Sequence, residues 1–177
     1  MTENTDWLRP HFDRMTAEWW ETTKLAHRLY SELVTLTYQD ISQALDDLLG
    51  ARPEVLIEKL DLEYRTYSRA VFEQAILDDT TNRSMAWKEL YDCDDYAWQF
   101  KGRMRWFYNV SAVGFVVDRS SLHAYNVVIF GDKTAALFEP QEDRFVAVDD
   151  SIALTAGISL QPGSSGRYSL TKGMVII

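Results

Sequence analysis

The spacing of apolar positions divides the chain into a helical first half and a strand-rich second half. From about Asp13 to Leu49, Trp19, Trp20, Leu25, Leu29, Leu33, Leu36, Ile41, Leu45 and Leu48 recur at three- and four-residue steps with charges between them, which predicts a helical face. Gly50 stops it, and Pro53 stands where a next helix would begin. Leu56, Leu60, Tyr64, Tyr67, Val71, Ala75 and Ile76 then predict a second helix to about Leu77, closed by the polar run from Asp78 to Ser84. A short helical turn is expected over Met85 to Leu90. Asp92 reads as an N-cap, which puts Cys93 at the first position of a helix running through Tyr96, Ala97, Phe100 and Met104 to about Phe107. After Asn109 the period changes. VSAVGFVVD and LHAYNVVIF predict a hairpin about RSS, TAALFEP a third strand, and RFVAV and KGMVII two more. Helices first and antiparallel strands second predict an α+β fold. Residues 1–84 form the expected helical region and residues 85–177 an α+β domain, the two being separable or one compact unit.

Composition narrows the partners. The chain has 177 residues, 46% of them apolar and 13% aromatic, enough for a real core and too apolar for a disordered polymer. Its net charge of −9 argues against a nucleic-acid or anionic-membrane partner, since both require clustered cations. The N-terminal stretch is polar where a secretory leader would be apolar, and no run approaches the ~18 apolar residues of a membrane span. A single cysteine excludes an intrachain disulfide and suits a reducing compartment, so a cytoplasmic location is expected.

That cysteine carries the candidate chemistry. Cys93 at a helix start is followed by His123 in HAYN and Glu139 in EPQ, the order of a nucleophile, a base and a carboxylate. A thiol becomes a useful nucleophile when an imidazole and a helix N-terminus favour its thiolate, and an acid then fixes the imidazole. Alternation puts His123, Tyr125, Val127 and Ile129 on one strand face, so His123 can point into a groove between helix and sheet, with Asn126 on the other face. Gln141 would share the face of Glu139, as an oxyanion donor or a partner to the acid. The bland alternatives are an inert buried thiol and a histidine satisfied within a sheet. Asp92, Asp94, Asp95 and Asp118 are hard oxygen ligands of the kind calcium takes, or else an acidic helix start that complements the macrodipole. His11 and His27 lack ligands at zinc spacing. The six tryptophans read as core or packing anchors. The helical half either covers the sheet or docks a protein partner or second copy.

CDDYAWQF, HAYNVVIF and FEPQ, in that order, resemble the papain-like cysteine peptidase domain of the Marasmius oreades agglutinin C-terminal type, which has bacterial and phage relatives. The resemblance spans roughly Trp87 to Gln141. It implies a papain-like helix packed on an antiparallel sheet, with Cys93 as nucleophile, His123 as general base, Glu139 orienting the ring, and a requirement for calcium. The expected function is a thiol hydrolase, most simply a peptidase acting on a protein or peptide substrate, in host cytoplasm or virion if phage-encoded. The other expectation is a catalytically idle virion or host-interaction module on the same fold.

Overall fold

The computed structural model describes residues 8–83, 92–148 and 167–177. Helix α1 (Leu8–Leu29) ends in a 3-10 turn at Tyr30–Glu32. The long helix expected to Leu49 breaks here for a local reason. Val34–Thr37, rich in β-branched residues, is strand β1, and its last residue starts a new helix. The Thr37 hydroxyl accepts from the Asp40 N–H while the Asp40 carboxylate accepts from the Thr37 N–H, a reciprocal cap that opens α2 (Tyr38–Leu49).

The helix expected after Pro53 is also replaced. Glu54–Glu58 is β2, Glu63–Thr66 is β3, and only Arg69–Asp78 (α3) is helical. The turn expected at Met85–Leu90 and the boundary at 84/85 lie outside the described residues. Beyond them come α4 (Cys93–Tyr108), β4 (Val113–Asp118), β5 (His123–Ile129), β6 (Ala135–Glu139), β7 (Arg144–Val148), β8 (Arg167–Tyr168) and β9 (Lys172–Ile176). All five strand-like runs of the second half contain a strand. Asn109, in the left-handed region, closes α4.

The fold is α+β. Its main sheet has seven strands in the order β2-β9-β4-β5-β6-β7-β8, and β1 and β3 form a separate antiparallel pair. The sheet is antiparallel from β9 through β7, with parallel β2 and β8 at its edges. A strand of the first half is thus hydrogen-bonded into the sheet of the second. Gly173 lets β9 lie close to β4: a Cβ there would stand 2.1 Å from the Val117 carbonyl oxygen.

Helices cover both faces. On one, Ile41, Ala44 and Leu45 of α2 pack with Tyr125, Val127, Ile129 and Leu137. On the other, Phe72 of α3 and Phe100 and Met104 of α4 pack with Val113, Val128, Phe130 and Phe138, and α1 lies against α3 and α4. Each face buries large apolar side chains completely, which is where most of the stabilisation resides.

Candidate functional site

The sheet's alternation decides where the site lies. Even-numbered residues of β5 face α4: Ala124 packs with Ala97 and Phe115, and the Asn126 side-chain amide donates to the carbonyls of Ala97 and Gly114. His123 therefore belongs to the face opposite α4, with Tyr125, whereas the expectation placed that face toward the helix. At the end of its strand the ring nevertheless reaches the helix N-terminus and hydrogen-bonds to the Cys93 side chain. Cys93 is half-buried and lines an open cleft.

On its other side the ring is held by Glu139. His123 Nε2 donates to Glu139 Oε2 at 2.7 Å, with both side chains buried. The register that pairs Asn126 with Phe138 sets Glu139 on the same face as His123. The Tyr168 hydroxyl donates to the same Glu139 oxygen at 2.8 Å, and the Gln141 N–H donates to the other at 3.1 Å. Tyr168 stacks on Tyr125 with centroids 4.5 Å apart, and its edge meets the His123 ring. Burial alone would lower the His123 pKa, but the hydrogen bonds to Cys93 and Glu139 outweigh it and raise the pKa to about 9. The ring is then an imidazolium at neutral pH, fixed between sulfur and carboxylate.

The structure thus brings Cys93, His123, Glu139 and the backbone of Gln141 together, while the Gln141 side-chain oxygen is buried beside them without a protein partner. The acidic residues divide. Carboxylate oxygens of Asp92 and Asp94 and the Cys93 sulfur lie within 4.8 Å of one another. Hydrogen bonding to Asp92 holds the Asp94 carboxyl above the usual carboxylate range. Asp95 accepts from the Asp92 N–H, a helix-start role. Asp118, buried in the β4–β5 turn, spends its oxygens on Ser120, Ser121, Tyr125 and Leu170. Asp92 and Asp94 therefore offer part of an oxygen donor set, whereas Asp118 is engaged by the protein itself.

Sequence reasoning missed two residues here. Tyr168, which grips Glu139, lies in a two-residue strand with no motif around it. Trp98, read as a packing anchor, has its indole half-exposed and stacked on Phe115 at 4.3 Å, forming one wall of the cleft. The signal was its position four residues after Asp94, on the same helical face. The cleft measures about 440 Å³, with Arg119 and Leu122 at its rim. Leu122 is 69% exposed and sits at φ 53°, a costly conformation for a bulky residue that holds it at the lip. A hollow of about 460 Å³ on α1 is walled by one helix face alone, between Trp20 and Arg28. It gathers no buried polar groups, so the cleft beside Cys93 is the stronger candidate.

Residues 30–156 match the family model of the ricin-type beta-trefoil lectin C-terminal domain, and the chain belongs to that family. Two solved structures share the fold. The PSL1a–E64 complex is 19% identical with a TM-score of 0.58, covering 81% of this chain and 51% of that one. Polyporus squamosus lectin bound to the human-type influenza-binding epitope Neu5Acα2-6Galβ1-4GlcNAc is 22% identical with a TM-score of 0.51, covering 63% and 45%. The chain thus spans about half the length of these solved chains. No curated protein matches. The family match corrects the earlier identification: the resemblance to a papain-like cysteine peptidase, and the hydrolase, enzyme and idle phage-module readings drawn from it, give way to a lectin-type family. Three short motifs at the right spacing fixed a local arrangement; the longer match fixes the family.

Proposed function

We propose that this chain acts in carbohydrate recognition, with the cleft between α4 and the β4–β5 hairpin as its ligand site. The observation that carries the reading is the half-exposed indole of Trp98, braced from behind by Phe115 and bordered by His123, Asp94 and Arg119. A pyranose presents an apolar ring face and a rim of hydroxyls. A flat aromatic wall with a few convergent donors and acceptors answers both parts. The family match and the glycan in the Polyporus squamosus lectin structure support a sugar in place of the peptide expected from the sequence. In this reading Cys93, His123 and Glu139 form the rigid floor of the site, with the His123 ring spent on its two neighbours. Calcium, where it acts, belongs to Asp92 and Asp94 at the mouth.

The test is a glycan panel that includes Galβ1-4GlcNAc and Neu5Acα2-6Galβ1-4GlcNAc, followed by calorimetry on any ligand found. Trp98→Ala is expected to weaken binding about tenfold or more, a loss of ~1.4 kcal/mol. Trp20→Ala, in the hollow on α1, is expected to leave affinity as it is. A wild-type chain that binds nothing on the panel removes the reading.

A further inference from the structure

Among the described residues one lysine is placed unlike the others. Lys24, Lys133 and Lys172 are exposed and reach the carboxylates of Glu21, Asp40 and Glu54, while Lys59 donates to Ser42 and lies over the Tyr38 ring. Lys101 is one turn after Ala97, at the edge of the α4 face that packs on β4 and β5. Its half-buried amine donates to the Val113 carbonyl and touches no carboxylate among the described residues. A donor for that carbonyl need not be titratable; glutamine would serve.

The amine opens on a second cleft, of about 310 Å³, between α4 and the segments carrying Leu60, Val110 and Ser111. Leu60, Val110 and Ile177 give it apolar walls. Gly102 has no packed neighbour within 4 Å of where its Cβ would stand, which leaves an open bed beside the amine. Arg105 stands one turn further along the helix, exposed, with Nη1 donating to Asn109. An ammonium is costly to keep in such surroundings. Burial lowers the Lys101 pKa from 10.5 to about 8, with Asp61 opposing the fall and Arg105 adding to it. At pH 7.5 about one such amine in four is neutral, against about one in a thousand for an ordinary lysine. Only the neutral form has a lone pair to give, and a desolvated lysine next to a second cation is how amine nucleophiles are made.

We propose that Lys101 is a nucleophilic amine whose cleft takes a small carbonyl compound bearing an anionic group, the anion held by Arg105 and the carbonyl carbon bound as an imine. The Nζ lone pair forms the C–N bond as the carbonyl π pair moves to oxygen. Both amine protons then leave with that oxygen as water, and C=N replaces C=O. The guanidinium supplies the planar donors that a carboxylate or phosphate accepts.

The test uses pyridoxal 5′-phosphate and pyridoxal, which differ in the anionic group, on the whole chain at pH 7.5. Borohydride fixes any imine, and mass spectrometry of the peptides gives the labelling rate of each lysine. With pyridoxal 5′-phosphate, Lys101 is expected to be labelled at least about tenfold faster than Lys24, Lys133 or Lys172, and faster than with pyridoxal. Arg105→Gln, at an exposed position, is expected to remove the preference for the phosphate and keep the reaction with pyridoxal. Labelling of Lys101 no faster than of the exposed lysines, equal rates with the two aldehydes, or a preference that survives in Arg105→Gln overturns the inference. None of these outcomes bears on the carbohydrate reading, which the glycan panel tests.

Discussion

At the scale of single residues, the best-determined feature is the row from Cys93 through His123 and Glu139 to Tyr168. Glu139 is fully buried, and His123, Tyr168 and the Gln141 N–H all donate to its carboxyl oxygens. Removing one partner of a buried charged pair costs about 3–5 kcal/mol, and we expect Glu139→Gln to lower stability by that order in urea denaturation. Tyr168→Phe removes one hydrogen bond to a charged acceptor, and the expected loss is about 1.5–3 kcal/mol by the same measurement. The pH dependence has a definite sign. With its folded pKa raised from 6.5 to about 9, His123 contributes stability that is fully present below about pH 6.5 and is lost as pH rises through 9. The urea midpoint should fall across that window in wild type, and Glu139→Gln should flatten the fall. Cys93, His123 and Glu139 were legible in the sequence because each sits in a local motif. Tyr168 was not: its role depends on a short strand brought to Glu139 by pairing with β7.

At the scale of elements, the strands of the second half could be read from their β-branched and aromatic runs and from the Arg-Ser-Ser turn, since hairpins are local. The first half was misread for the opposite reason. EVLIE and EYRT are compatible with either period, and what makes them strands is tertiary: β2 pairs with β9 and β3 with β1. The break at Leu29 was the exception, because the Thr37–Asp40 cap is a local signal that a continuous apolar stripe concealed. Helix α4 was placed correctly, and its interior glycine yields a clean test of element stability. Since a methyl at Gly102 meets nothing within 4 Å, Gly102→Ala is expected to stabilise the protein by about 0.5–1 kcal/mol, read as a rise in the thermal midpoint. A decrease would show that the open bed depends on a backbone freedom that alanine lacks.

At the scale of the whole molecule, the sheet is the frame that sets α4 against β4 and β5, and its integrity rests on close contact between β9 and β4. A Cβ on Gly173 would stand 2.1 Å from a backbone oxygen, which no rotamer change can relieve. Gly173→Ala is therefore expected to cost about 3 kcal/mol or more, measured as a shift of the urea midpoint. It should also loosen the β4–β5 turn, because Gly173 is paired with Asp118. The position of β9 has a consequence for biogenesis. The strand lies between β2 and β4, so the central sheet is missing a middle member until translation has passed residue 176. A nascent polypeptide carrying everything before it exposes two unpaired edges, the kind of surface that chaperones capture and that seeds aggregates. Products truncated before β9 should therefore accumulate as insoluble material, whereas chains that include it close this seam.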